Sequence, residues 1–161
     1  MLTTSPKFAN RILEAGLGNW QLSVLVTAHK GFPVAPTTGV DDSLTGIGLD
    51  RPNMVGNPYT KDLSTLVWLN PAAFVANSAG TFGNAGFNSL IGPGFFDMDA
   101  NLTRLFRIRE RQRVELRFEF FNALNNVNFA NPVSNLHSST FGLIQADISP
   151  RILQFAAKYS F

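Results

Sequence analysis

Cysteine is missing from all 161 residues. Disulfide and thiol chemistry are thereby excluded, while the compartment stays open, because many exported proteins carry no cysteine. Charge is scarce: Asp, Glu, Lys and Arg make up 15% of the chain, against the roughly 25% usual for soluble domains. A net charge of +2 is too mild for a nucleic-acid surface, so no nucleic acid is expected as a partner. No apolar run approaches the roughly 18 residues of a transmembrane helix. Met1–Lys7 lacks the apolar stretch of a secretory signal. Tyr and Trp number only two each, and the aromatic content is carried instead by 15 Phe. Low charge with abundant Phe, Gly, Asn and Thr suits β-structure with an apolar outer band.

That band is written as alternation. In residues 151–161, Leu153, Phe155, Ala157, Tyr159 and Phe161 fall on one face of an extended strand, and Gln154, Ala156, Lys158 and Ser160 on the other. A soluble protein seldom leaves an aromatic-ended strand at an edge, where it invites aggregation. A strand of an outer-membrane barrel has this form: about 9–11 residues, apolar outward, polar inward, with aromatics at the interface. The same period marks residues 20–30, where Trp20, Leu22, Val24, Val26 and Ala28 share a face until Gly31 and Pro33 end the strand. It marks 95–107, where Phe96, Met98, Ala100 and Leu102 oppose Asp97, Asp99, Asn101 and Thr103. It is cleanest in 113–121, where Val114, Leu116, Phe118 and Phe120 alternate with Arg113, Glu115, Arg117 and Glu119. Residues 108–112 read as a tight turn. The apolar residues on both sides of it are even-numbered, so antiparallel pairing through an odd-length turn puts them on one face.

The other connections, 31–93 and 122–150, are long, and 1–19 is a poorly patterned lead-in. Apolar Val67, Trp68, Leu69, Phe74, Phe82, Phe87, Leu90 and Ile91 need a place to pack, so a short hairpin or helical turn is expected within 31–93. Barrels place short turns on the periplasmic side and long loops outside. Residues 20–30 then rise, 95–107 descend, 113–121 rise and 151–161 descend.

The candidate chemistry is thin. Arg113, Glu115, Arg117 and Glu119, with Asp97 and Asp99, form a charged row that lines the lumen of a barrel or faces solvent on a soluble sheet. Asp97 and Asp99 could hold a cation, but no third ligand is in view. Asp41, Asp42 and Asp50 lack the spacing of a calcium loop. His29 and His137 have no HExxH or Cys partner for zinc, and no G-x-S-x-G elbow occurs. No metal, cofactor or catalytic residue is expected. Arg104, Arg107, Arg109, Arg111 and Arg113 cluster near one turn and read as side chains that snorkel to lipid headgroups.

The final strand ending in Tyr159-Ser160-Phe161 resembles the C-terminal signal read by the barrel-assembly machinery of Gram-negative bacteria. The run Phe120-Phe121-Asn122-Ala123-Leu124-Asn125-Asn126-Val127-Asn128-Phe129, then Phe141-Gly142, Pro150-Arg151 and the last strand, resembles the C-terminal end of TonB-dependent outer-membrane receptors of the Oar-like kind. Trp68-Leu69-Asn70-Pro71-Ala72-Ala73-Phe74 and Gly80-Thr81-Phe82-Gly83-Asn84-Ala85-Gly86 resemble another segment of that barrel. The likeness runs from about Trp20 to Phe161. It implies an all-β fold, the antiparallel C-terminal segment of a large transmembrane β-barrel with long extracellular loops. It also implies that Phe155, Tyr159 and Phe161 form the assembly signal, and that the whole receptor imports bulky solutes. The implied partners are outer-membrane lipid, the rest of the receptor barrel and its plug, the TonB complex and the barrel-assembly machinery. Because a barrel protein must be exported, the chain is expected to continue upstream of Met1. Two alternatives remain open at this point: a small structural β-protein that completes an oligomeric barrel, and a soluble β-sandwich carbohydrate-binding module.

Overall fold

A computed structural model describes Gly18 and residues 20–161; the rest of the expected lead-in lies outside the described residues. In chain order the strands are β1 (Trp20–His29), β2 (Pro33–Val34), β3 (Asn53–Met54), β4 (Tyr59–Asp62), β5 (Val67–Leu69), β6 (Phe74–Val75), β7 (Leu90–Ile91), β8 (Phe95–Arg107), β9 (Arg113–Phe121), β10 (Asn128–Phe129), β11 (Asp147–Ile148) and β12 (Ile152–Ser160). One 3-10 turn, Pro71–Ala73, lies between β5 and β6, and no α-helix occurs among the described residues. The four long strands fall at the four places where the alternation is strongest.

The chain divides into two compact units. Among the described residues, the first holds those up to Ala28, Phe96–Val127 and Ser149–Phe161. Its sheet has the order β1-β8-β9-β12. The turn between β8 and β9 is closed by Ile108 N–H donating to the Gln112 carbonyl at 2.9 Å and Gln112 N–H to the Arg109 carbonyl at 3.2 Å. Its odd length gives an even register: Ala100 faces Phe120, Leu102 faces Phe118 and Phe106 faces Val114. On the other side of β9, Leu153 faces Phe120, Phe155 faces Phe118 and Tyr159 faces Val114. The apolar rows of three strands therefore coincide on one face. The rings follow: Phe118 lies 5.1 Å from Phe155 and 6.2 Å from Trp20, separations at which aromatic pairs add about 0.5–1.5 kcal/mol each.

At the end of β9 the chain turns on Asn122, which is buried and has φ of 47°, a left-handed conformation that Asn tolerates better than most residues. Its Nδ2 donates to the carbonyls of Asn126 and Ser149, both at 2.7 Å, and its Oδ1 accepts from Asn126 N–H at 2.8 Å. One side chain thus ties the end of β9 to the approach of β12.

The second unit holds His29–Phe95 and Asn128–Ile148. Taken from the sequence these are two separate irregular loops; in the structure they fold into one body. Val34, Leu69, Ala73, Phe74, Leu90 and Phe141 form its core, with the rings of Phe74 and Phe141 edge-to-face at 5.3 Å. Short ladders pair β2 with β7, β3 with β6, β4 with β5, and β10 with β11. A bridge joins Val67 to Leu143, and Trp68 N–H donates to the Gly142 carbonyl at 2.8 Å. Gly142 has φ of 82°, and a Cβ there would stand 2.5 Å from the Leu69 carbonyl oxygen. The bare α-carbon is what lets the two segments close.

Candidate functional site

Pairing sorts the side chains of the sheet into two faces. On the polar face, Glu119 lies between Asn101 and Gln154, Arg117 between Thr103 and Ala156, Glu115 between Leu105 and Lys158, and Arg113 between Arg107 and Ser160. Arg117 is the hub: its Nη2 is 2.8 Å from Glu115 Oε1 and its Nη1 is 3.7 Å from Glu119 Oε1. Asn101 Nδ2 donates to Glu119 Oε1 at 3.1 Å, and Thr103 Oγ1 to Asn101 Oδ1 at 2.6 Å. Half-exposed pairs of this kind stabilise by about 0–1 kcal/mol each, so the row organises a wet surface more than it holds the fold. Asp99 and Asp97 continue the row by alternation. Asp99 Oδ1 accepts from Asn122 N–H at 3.1 Å, which gives this carboxylate a turn-anchoring task.

The opposite face carries Leu102, Phe106, Val114, Leu116, Phe118, Phe120, Leu153, Phe155, Ala157 and Tyr159. Nine residues of β12 at about 3.3 Å each, tilted by about 40°, cover about 23 Å, which matches an apolar band about 25 Å tall. Every residue of β12 is exposed, and Leu153, Phe155, Tyr159 and Phe161 leave from half to nearly all of their surface open. The rings of Tyr159 and Phe161 are 6.0 Å apart, consistent with their two-residue spacing.

The arginines do not act as one snorkelling group. Arg104 faces Leu116 on the apolar side, is buried, and has its guanidinium 4.4 Å from the Phe106 ring and 5.3 Å from the Trp20 ring. Arg107 and Arg113 stand opposite each other on the polar side. The expectation of a shared lipid-headgroup role does not hold for Arg104, because alternation sends its even position to the face opposite Arg107 and Arg113.

Asp41, Asp50, His29 and His137 have structural employment. Asp41 accepts from Thr45 N–H at 3.0 Å, Gly46 N–H at 2.7 Å and Ser43 Oγ at 3.3 Å; Asp50 accepts from Ser43 N–H at 2.6 Å and Ser43 Oγ at 2.9 Å. Desolvation raises the Asp41 pKa, and the hydrogen bonds from Gly46, Thr45, Ser43 and Leu44 together outweigh it, holding the group below its ordinary 3.8. Hydroxyls of Ser64 and Thr65 lower that of Asp62. His29 stacks on Phe95 at 4.9 Å, and the His137 ring bonds the Thr38 carbonyl. Among the described residues no three such side chains converge on a metal site. The sequence reading missed Asn122 and Arg104 as individuals; the Asn-rich run after β9 was the visible signal for the first, and an Arg on an apolar row for the second.

A family model described as an outer membrane beta barrel domain matches residues 2–154. No curated protein and no solved structure matches the chain. With an apolar face of membrane height, a polar face behind it and a match over nearly its whole length, the chain belongs to the outer membrane beta barrel domain family and resides in the outer membrane.

Proposed function

We propose that the chain is the C-terminal part of the barrel of a TonB-dependent receptor, whose whole imports bulky solutes across the outer membrane. One observation carries this reading: the sheet ends on β1 and β12, both largely exposed, and four strands cannot close. In lipid every backbone N–H and C=O must find a partner, at several kcal/mol for each failure. Further strands must therefore flank this sheet, and receptors of this kind close with about 22 strands around a plug. In this reading Arg113, Glu115, Arg117, Glu119, Asp97 and Asp99 line the lumen, while Phe155, Tyr159 and Phe161 present the assembly signal. Lipid, the remaining barrel and plug, the TonB complex and the assembly machinery are the partners. Outer-membrane residence removes the soluble sandwich. The oligomeric barrel survives, because β12 of one copy could pair with β1 of the next.

The test is the mass of the native protein extracted from outer membranes with an antibody raised against the His29–Phe95 segment. A heat-modifiable species several times larger than 17.6 kDa, which crosslinks to TonB in energised cells, supports the receptor. A species of about 17.6 kDa that migrates as an oligomer before heating supports the alternative and ends the receptor reading.

A further inference from the structure

At the turn end of the polar face the charges are not balanced. Arg117 engages both Glu115 and Glu119, so Lys158, which faces Glu115 across the ladder, makes no ion pair among the described residues. Arg113 faces Arg107, an arrangement that destabilises a sheet unless something neutralises it. Arg111 joins them from the turn. Arg111, Arg113 and Lys158 border a concavity of about 520 Å³ lined also by Leu105, Glu110, Glu115, Ser160 and Phe161. Its position on the polar face, behind the apolar row, turns it away from the lipid surrounding a barrel. Guanidinium forks beside two apolar side chains suit carboxylates spaced along a peptide that also carries apolar side chains.

We propose that Arg111, Arg113 and Lys158 form a docking site for an acidic, partly apolar peptide segment that enters the barrel mouth at the turn end. The site rests on the assignment of the polar face to the lumen, a part of the proposed function; it does not depend on TonB or on the identity of the solute.

The whole native protein, parent or carrying the substitutions below, is extracted from outer membranes into dodecylmaltoside micelles, and a fluorescein-labelled peptide of alternating Glu and Leu is titrated by fluorescence anisotropy. Saturable binding that weakens as salt rises is expected. Arg113→Gln combined with Lys158→Gln should weaken it at least about tenfold, since each lost charge-assisted hydrogen bond is worth about that much. Arg113→Lys combined with Lys158→Arg should retain most of it, which separates charge from folding. Lys61→Gln, in the other unit, should leave the affinity unchanged. Equal affinity of the Gln pair and the parent overturns the proposal. So does full displacement of the peptide by an equal concentration of inorganic phosphate, or by nanodiscs containing phosphatidylglycerol, which would assign the cations to a free anion or a lipid. Failure here with a large, TonB-crosslinked native protein would leave the receptor reading standing.

Discussion

Phe118 is the position at which the two faces can be weighed against each other. It lies one residue from the middle of β9, and its ring contacts Trp20 at 6.2 Å and Phe155 at 5.1 Å. Phe118→Arg would remove two aromatic pairs, about 1–3 kcal/mol together. It would also set a charge near the bilayer midplane, at about 2–4 kcal/mol. The expected loss for the complete barrel is about 3–7 kcal/mol, while Phe118→Leu should lose only the ring contribution, about 1–3 kcal/mol. Arg117→Leu, on the adjacent residue, breaks two half-exposed ion pairs and should cost at most about 2 kcal/mol. The assay is urea unfolding of the barrel in phosphatidylcholine vesicles, followed by the loss of heat-modifiable mobility. If Arg117→Leu destabilises as much as Phe118→Arg, the apolar row does not face lipid and the reasoning fails.

Three further outcomes are expected. Asn122→Ala strands three hydrogen-bond partners at a buried corner and places Ala at positive φ; the loss should be about 2–5 kcal/mol in the same unfolding assay, and a change under about 0.5 kcal/mol would contradict it. Asp41 has a folded pKa below its unfolded value, so its contribution to the Asp41–Gly46 turn is complete above the unfolded value of about 3.9 and is lost as pH falls through the folded one. The Gly46 amide resonance should accordingly hold steady from pH 7 to 5 and move with a midpoint below 3.8, whereas a midpoint above that would refute the hydrogen-bonded carboxylate. Deleting Phe161 should sharply lower the heat-modifiable fraction in the outer membrane without lowering synthesis, and Lys158→Gln should do much less; equal insertion of the deletion and the parent would refute the assembly-signal role.

The sheet was legible because alternation is a local property. Period two in 113–121 and 151–161 dictated faces, and the parity of apolar positions around residues 108–112 required an even pairing, as the structure has. Nothing local could say that Phe141 would pack on Phe74, or that Gly142 would close on Leu69. Those contacts join residues about 70 positions apart and depend on a backbone approach that only the assembled unit reveals. The charged row was readable as a row, yet its internal wiring was not: rotamers gave Arg117 both glutamates and left Arg113 and Lys158 at the margin. Arg104 escaped notice because sequence proximity to other arginines outweighed the parity of its own position.

The central claim is that even-numbered residues of β9 meet lipid and odd-numbered residues meet water. This chain has no cysteine, so once any cysteine elsewhere in the barrel is replaced, a single introduced thiol at each of 113 to 120 can carry a nitroxide in the vesicle-embedded barrel without competing labels. Relaxation by oxygen, which concentrates in the bilayer, and by a water-soluble nickel chelate then reports the surroundings of each site. The account predicts high oxygen and low nickel access at 114, 116, 118 and 120, and the reverse at 113, 115, 117 and 119. Oxygen access without period-two contrast, or protection of the even positions from both reagents, would contradict it.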